Sequence, residues 1–180
     1  MIICMIGNPL SGKTTFALEV AREFNFGYLS TGEVARLHGI SDRDRESIKR
    51  SDRAEDLEDA IRREVARVVS LGDVVLDGFP RSVEQMEYLL GIEEGWNLLV
   101  FFFYVNPVMQ FSRMQGRKRD GDVLEVVKSR TLASERLWKD LSLMSYGGRF
   151  ILIRMEGIKD DAAFKIEEVV RATKYLRPIS

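Results

Sequence analysis

The chain carries, close to its start, the octapeptide Gly7-Asn8-Pro9-Leu10-Ser11-Gly12-Lys13-Thr14. It fits the pattern G-x-x-x-x-G-K-[ST] of a phosphate-binding loop. The apolar residues 1–6 before it predict a short buried strand, and residues 15–24 after it carry apolar side chains at helical spacing. A strand, a glycine-containing loop and a helix in this order predict an anion site, because backbone N–H groups and the positive end of the helix face the same phosphate.

Two side chains of this loop, hereafter the P-loop (residues 7–14), have predicted chemical roles. Lys13 has the reach to contact the outer phosphates of a nucleotide, and the Thr14 hydroxyl is suited to ligate Mg²⁺. The loop alone leaves open whether the protein is a motor, a GTPase or a small kinase. The residues predicted to bind the nucleotide here are Gly7, Pro9, Ser11, Gly12, Lys13, Thr14 and Thr15.

Strand and helix patterns alternate along the rest of the chain. Further strands are predicted at 28–29, 74–76, 97–105 and 150–155, and helices at 33–37, 57–69, 108–115, 123–144 and 162–174. Residues 97–105 are aromatic and β-branched on both faces, so we expect this strand to lie centrally in the sheet. The alternation predicts right-handed βαβ crossovers and a doubly wound α/β fold, and 180 residues suit one domain.

Composition excludes several classes of function. The formal net charge of −1 supplies no global basic field, so we expect no nucleic-acid partner. One cysteine (Cys4) and one histidine (His38) exclude a zinc cluster and a histidine-based triad. The longest apolar run, 98–105, is far shorter than the roughly 20 residues that span a bilayer. We therefore expect a cytoplasmic protein with no membrane partner, and a monomer.

Two further segments carry a family resemblance. Residues 28–36, Tyr-Leu-Ser-Thr-Gly-Glu-Val-Ala-Arg, and 75–85, Val-Leu-Asp-Gly-Phe-Pro-Arg-Ser-Val-Glu-Gln, resemble signature segments of the adenylate kinase family of nucleoside monophosphate (NMP) kinases. With the P-loop they form three motifs in the family's order. The resemblance implies a P-loop NTPase three-layer α/β/α fold with a five-stranded parallel sheet. It also implies a single domain over 1–180, with an NMP-binding insert at 31–60 and a short lid at 117–122.

The resemblance implies an activity as well: the γ-phosphate of Mg-ATP passes to a nucleoside monophosphate, of which AMP is the commonest in the family. Asp77 closes a predicted buried strand, where a carboxylate can orient the water shell of Mg²⁺. Arg81 can bind a phosphate with two parallel hydrogen bonds. By resemblance, Arg36 and Arg81 hold the α-phosphate of the acceptor. The residues implied to bind the acceptor are Thr31, Arg36, Gly78, Arg81 and Gln85, with Gln85 reading the base.

Four arginines farther along form a local concentration of positive charge: Arg113, Arg117, Arg119 and Arg130. Phosphoryl transfer is accelerated mainly by positioning and by cations around the transferring group. By resemblance, Arg113 lies over the donor adenine and the others clasp the phosphates. No general base is required, because a phosphate with a second pKa of about 6 is already largely ionised at pH 7. The implied catalytic set is Lys13, Arg81, Arg117, Arg119 and Arg130.

The sequence departs from the family in two places. Residues 48–57 lack the G-x-[LIV]-V-P segment whose backbone lines the acceptor base, so CMP, UMP and deoxynucleotides stay open as acceptors. Only Lys118 separates Arg117 from Arg119, which makes the predicted lid very short. A small-molecule P-loop kinase of another kind, and a nucleotide-binding regulatory or ribosome-assembly protein with weak ATPase activity, are the alternative functions.

The near-zero net charge predicts that acidic residues elsewhere balance an arginine-lined cleft. The acidic residues expected on solvent faces are Glu55, Asp56, Glu58 and Asp59.

Overall fold

Parallel strands form one sheet in the computed structural model, which describes residues 1–40, 52–92, 98–116, 123–145, 150–156 and 159–175. The strands are β1 (Ile2–Gly7), β2 (Gly27–Ser30), β3 (Val74–Asp77), β4 (Leu98–Phe103) and β5 (Ile151–Met155). Their spatial order is β2-β3-β1-β4-β5, and every neighbouring pair is parallel. The predicted five-stranded parallel sheet is therefore confirmed.

Helices connect and cover these strands. They are α1 (Lys13–Phe24), α2 (Thr31–Leu37), α3 (Asp52–Ser70), α4 (Val83–Ile92), α5 (Pro107–Gly116), α6 (Leu124–Ser145) and α7 (Lys159–Tyr175). Within the described ranges, no helix combines the length and the apolar character needed to cross a membrane.

The central strand β1 shows why the fold has three layers. Successive side chains of a strand point to opposite faces. Ile2, Cys4 and Ile6 pack in one core cluster with apolar side chains of α3, α4 and α6. Ile3 and Met5 pack in a second cluster with side chains of α1 and α7. Both faces of the sheet are thus buried at β1, as its continuous apolar sequence predicts. Each fully buried large side chain contributes about 1.5–3 kcal/mol.

Strand register brings the P-loop between two other strand ends. Met5 of β1 is level with Asp77 of β3, and Gly7 is level with Phe103 of β4. Gly7 has φ +125°, and a Cβ atom there would lie 2.3 Å from the Phe103 carbonyl oxygen. Only glycine fits so close an approach. The loop after β1 therefore starts in contact with the end of β4.

The structure differs from the sequence-based prediction in three respects. The strand predicted at 97–105 is interior, but β1 rather than β4 occupies the centre of the sheet. Helix α3 begins at Asp52 instead of 57, because charged residues with good helix propensity extend it beyond the apolar pattern. Helix α4 was not predicted, although Met86, Leu89 and Leu90 have the spacing of a buried helical face.

The predicted insert and lid are only partly within the described ranges. Of the insert at 31–60, the structure describes α2 and the first turns of α3. Residues 41–51 and the whole predicted lid, 117–122, lie outside the described residues.

Candidate active site

A cavity of about 320 Å³ opens at the carboxyl ends of β1 and β3. One wall is the P-loop, a second is the segment after β3, and helices α3 and α6 close the other sides. The lining residues are Ile6, Gly7, Pro9, Lys13, Ala54, Leu57, Glu58, Ile61, Gly78, Pro80, Arg81, Gln85, Arg130, Ala133, Ser134 and Leu137. Three cations predicted from sequence, Lys13, Arg81 and Arg130, thus share one cavity although they come from distant parts of the chain.

Asn8 fastens the P-loop to β4 and α6. Its backbone N–H donates to the Phe103 carbonyl at 2.9 Å, and its side-chain amide donates to the Val105 carbonyl at 3.4 Å. The Ser134 hydroxyl donates to the Asn8 amide oxygen at 2.7 Å. Because Asn8 is fully buried, these bonds satisfy polar groups that water does not reach. Sequence reasoning did not single out Asn8, since an x position of the pattern carries no signal of its own.

Helix α5 holds the next part of the loop. The Gln110 amide donates to the Pro9 carbonyl at 3.0 Å and to the Thr131 hydroxyl at 2.8 Å. The Arg113 guanidinium donates to the Leu10 carbonyl at 2.9 Å. Side chains of α5 therefore donate hydrogen bonds to backbone carbonyl groups of the P-loop, and these bonds fix its shape. The structure places Arg113 on the loop backbone at an exposed position, and its predicted contact with a donor adenine stays a prediction.

The amino end of α1 supplies the phosphate-binding groups. The helix begins at Lys13 with no acidic residue in its first turn, so no carboxylate offsets the positive end of its dipole. Lys13 Nζ donates to the Asn8 carbonyl at 3.3 Å, and Thr14 and Thr15 are exposed. The Ser11 hydroxyl oxygen is buried and has no hydrogen-bond partner among the described residues. An unsatisfied hydroxyl within this loop suits an oxygen-rich ligand.

On the opposite side, two side chains converge on Gly78. The Thr31 hydroxyl donates to the Gly78 carbonyl at 2.9 Å, and Arg81 Nε donates to the same oxygen at 2.8 Å. Gly78 has φ +78°, and a Cβ atom there would lie 3.0 Å from both Thr31 Oγ1 and Arg81 Nη2. Arg36, at the end of α2, is exposed and does not line the cavity; one of its guanidinium nitrogens lies against Gly32.

Asp77 ends β3 as predicted and is buried, with 4% of its surface exposed. The Tyr28 hydroxyl donates to its Oδ2 at 3.2 Å. Burial and the charge of Asp77 raise the pKa of Tyr28 above its usual range, so this hydroxyl keeps its proton. The carboxylate is thereby held in one orientation beside the P-loop strand.

Gln85 and Glu58 form a polar pair inside the cavity. The Arg81 backbone N–H donates to Gln85 Oε1 at 2.6 Å, and Gln85 Nε2 donates to Glu58 Oε2 at 2.6 Å. The second oxygen of Glu58 accepts from Arg62 Nε at 2.8 Å. Glu58 was expected on a solvent face, but its side chain lines the cavity and keeps 33% of its surface exposed. Glu55, Asp56 and Asp59 are exposed as expected, but Glu58 falls on the same helical face as the apolar residues Leu57 and Ile61.

The predicted site residues divide into three groups by position. Those that line the cavity are Gly7, Pro9, Lys13, Gly78, Arg81, Gln85 and Arg130. Those within the described ranges that do not line it are Ser11, Gly12, Thr14, Thr15, Thr31, Arg36, Asp77 and Arg113. Arg117 and Arg119 lie outside the described residues. The polar residues that sequence reasoning missed are Asn8, Glu58, Gln110 and Ser134, and only the helical periodicity of α3 offered a signal, for Glu58.

A family model described as an AAA domain matches residues 6–128 of the chain. The match begins at the end of β1 and includes the P-loop, Asp77, Arg81 and Gln85. It covers well over half of the chain.

Individual proteins are similar over most of the chain as well. An adenylate kinase from Thermus thermophilus is 30% identical over 172 residues, covering 87% of this chain and 88% of the relative. An adenylate kinase from Rhodococcus erythropolis is 30% identical over 145 residues, covering 72% and 77%. Among solved structures, the shikimate kinase from Aquifex aeolicus superposes with a TM-score of 0.60 at 16% identity and covers 98% of this chain and 99% of that one. This last likeness concerns the fold alone.

Proposed function

Since the chain belongs to the adenylate kinase family of P-loop (AAA-domain) phosphotransferases, we propose that it transfers the γ-phosphate of Mg-ATP to a nucleoside monophosphate, with AMP as the preferred acceptor. The observation that carries the proposal is the shared cavity. Lys13 of the P-loop, Arg81 and Arg130 all line it, and so does Gln85. Several cations around one cavity suit a transfer between two phosphates.

The donor side binds ATP through the P-loop. In this proposal, backbone N–H groups of the loop, the Ser11 hydroxyl and Lys13 hold the β- and γ-phosphates at the positive end of α1. The set of bonds from Asn8, Gln110 and Arg113 keeps the loop in shape before the nucleotide arrives, which lowers the cost of ordering it on binding.

The residues near the loop fit Mg²⁺. Within the described ranges no group of three or more histidine, cysteine or acidic side chains is arranged to hold a metal ion. Mg²⁺ in kinase sites usually keeps several waters and binds through one or two carboxylates and the phosphates of the substrate. Thr14 and Asp77 are the residues that would hold it, Thr14 directly and Asp77 through water. The bound ion would supply positive charge to the phosphate oxygens. Tyr28 keeps the Asp77 carboxylate oriented for this role.

The acceptor side takes the nucleoside monophosphate. Arg81 binds its phosphate together with Arg36, Thr31 positions it next to Gly78, and Gln85 lies where it can contact the base. Because the acceptor phosphate is ionised near neutrality, its oxygen attacks the γ-phosphorus without a general base. The bond between the γ-phosphorus and the β–γ bridging oxygen breaks, and the donor leaves as ADP. Arg130, with Arg117 and Arg119 of the predicted lid, stabilises the charge spread over the transferring group.

The panel of acceptors that tests the proposal contains AMP, CMP, UMP, dAMP and, as a hydroxyl acceptor, shikimate. The rate of ATP consumption with each compound is compared with the rate of hydrolysis without an acceptor. We expect rapid formation of a nucleoside diphosphate with AMP. Fast transfer to CMP, UMP or dAMP alone would change the acceptor and keep the reaction class. Transfer to shikimate, or slow hydrolysis that no acceptor accelerates, would contradict the proposal. A cytoplasmic monomer stays the expectation from sequence.

A further inference from the structure

The carboxylate of Glu58 faces the acceptor half of the cavity. It lies on α3, in the part of the chain where the sequence lacks the family's base-lining backbone segment. In its place a helical face supplies the wall: Ala54, Leu57, Glu58 and Ile61 all line the cavity. A charged side chain thus stands among apolar ones at the position expected to meet a base.

The orientation of the neighbouring Gln85 amide follows from its partners. The backbone N–H of Arg81 can only donate, so the atom facing it at 2.6 Å is the amide oxygen. The amide nitrogen then faces Glu58 Oε2, also at 2.6 Å. Gln85 is buried, with 7% of its surface exposed, so neither end is free to rotate toward water. The pair therefore offers a donor (the second N–H of Gln85) next to an acceptor (Glu58).

Arg62, one turn later on the same helix, holds the Glu58 carboxylate in place. Arg62 Nε donates to its other oxygen at 2.8 Å, and the Arg62 guanidinium stacks over the Tyr88 ring at 5.0 Å. The Tyr88 hydroxyl donates to the Arg62 carbonyl at 3.1 Å. One donor per oxygen leaves each carboxylate oxygen with capacity for another hydrogen bond. The spare capacity at Oε2 lies beside Gln85, within the cavity wall.

A donor next to an acceptor matches one type of base edge. Adenine presents a ring nitrogen that accepts beside an amino group that donates, and cytosine does the same. Uracil and hypoxanthine carry a carbonyl oxygen where the amino group would be, and that oxygen would face the carboxylate. Gln85 is buried, and the apolar residues Leu57, Ile61 and Leu137 line the same cavity, so water would compensate a mismatched polar contact only in part.

We propose that Glu58 determines the specificity for the acceptor: its carboxylate accepts a hydrogen bond from the exocyclic amino group of the base, while Gln85 donates to the adjacent ring nitrogen. The inference rests on the proposed function. The class of acceptor is then nucleoside monophosphates whose Watson–Crick edge has an amino group next to a ring nitrogen that accepts a hydrogen bond, that is, adenine or cytosine nucleotides.

The first test uses the wild-type protein and a substrate without the amino group. We compare kcat/KM for AMP with that for purine riboside monophosphate, which differs only in lacking that group. If the preferred acceptor is CMP, its analogue without the amino group replaces purine riboside monophosphate. Loss of a hydrogen bond to a charged group predicts a preference of about 10- to 100-fold for the amino base. Equal values for the two substrates would overturn the inference without any variant.

The second test is Glu58→Gln. Arg62 can only donate, so it would turn the carbonyl oxygen of the new amide toward itself and the amide nitrogen toward the base. The ratio of kcat/KM for the two substrates is then expected to fall to about one, while KM for ATP stays unchanged. A ratio that remains at the wild-type value would show that Glu58 serves structure only, and would overturn the inference.

Glu64→Gln is the matched control. It makes the same change on the same helix, but Glu64 pairs with Arg67 at an exposed position, and it is expected to keep the wild-type ratio. A fall in the ratio equal to that of Glu58→Gln would also count against the inference. Absence of transfer to every nucleoside monophosphate would overturn the proposed function, and this inference with it. Transfer with the same kcat/KM for substrates with and without the amino group would overturn this inference and leave the proposed function in place.

Discussion

The hydroxyl of Tyr28 donates a hydrogen bond to the carboxylate of Asp77 at 3.2 Å, between the adjacent strands β2 and β3. Both residues belong to segments that resemble family signatures, and the sheet brings the two segments together at one edge of the site. Burial and the neighbouring negative charge raise the pKa of Tyr28, so the bond persists through neutral and mildly alkaline pH. Tyr28 is thus a positioning residue for the acid that we place near Mg²⁺.

Replacing Tyr28 by phenylalanine removes this bond and keeps the ring. Without it the Asp77 carboxylate can rotate, so we expect the Mg²⁺ concentration for half-maximal activity to rise by about three- to tenfold, as loss of one such bond implies. A magnesium titration of the initial rate measures this shift. The control Tyr104→Phe removes a hydroxyl whose ring packs against Arg154 and is expected to leave the titration unchanged. An unchanged titration for Tyr28→Phe would contradict the positioning role.

The same bond predicts a dependence of stability on alkaline pH. Because the pKa of Tyr28 is raised in the folded state, the unfolded chain loses this proton first, and the free energy of unfolding falls as pH rises above about 10. Burial likewise raises the pKa of Cys4, which adds to the fall. Urea denaturation between pH 8 and 11 should show a smaller decline for Tyr28→Phe than for the wild type. Identical declines would show that the Tyr28 hydroxyl ionises equally well in the folded and the unfolded chain, which would contradict the raised pKa.

Much of the site was predictable because its residues lie in short local patterns. The P-loop and Arg81 come after strands and Asp77 ends one. Parallel strands end at one edge of a sheet, so the proximity of these residues follows from the order of elements. Lys13 could be placed before the structure for the same reason.

Long-range contacts were not predictable in this way. Glu58 lies 27 residues before Gln85, and its charge suggested a solvent-exposed face. The helical periodicity of α3 places Glu58 on the same face as Leu57 and Ile61, but its contact with Gln85 depends on how α3 packs on the sheet, which no local pattern encodes. Gln110 and Ser134 hold the P-loop from helices far along the chain for equally non-local reasons.

Gly78 offers a test of the acceptor side. An added methyl group in Gly78→Ala would lie 3.0 Å from Thr31 Oγ1 and Arg81 Nη2, at a φ of +78° that alanine rarely adopts. We expect KM for AMP to rise at least about tenfold while KM for ATP changes little, because the strain is confined to the acceptor side. Steady-state kinetics with each substrate varied in turn measures the difference.

Gly91→Ala is the control for that experiment. A Cβ atom at Gly91 meets nothing within 4 Å, and the residue lies in helix α4. Alanine there is expected to stabilise the protein by about 0.5–1 kcal/mol and to leave both KM values unchanged. Equal effects of the two substitutions on KM for AMP would show that Gly78 has no special place in the site.

Lys13→Met tests the phosphate-binding cation. Methionine keeps most of the length of the side chain and removes its charge, so we expect the fold to be retained and kcat to fall by about 100- to 1,000-fold. Lys165→Met, on the exposed side of α7, is expected to keep the wild-type rate. Circular dichroism of both variants checks folding, and a rate near the wild-type value for Lys13→Met would rule out the role assigned to it.

The path of the phosphoryl group itself tests the proposed reaction most directly. ATP radiolabelled at its γ-phosphate is mixed with Mg²⁺, AMP and the wild-type protein, and the products are separated after a few turnovers. We expect the label to appear in the β-phosphate of ADP, at a rate well above that of inorganic phosphate release. Label found only in inorganic phosphate, with AMP left unchanged, would contradict it.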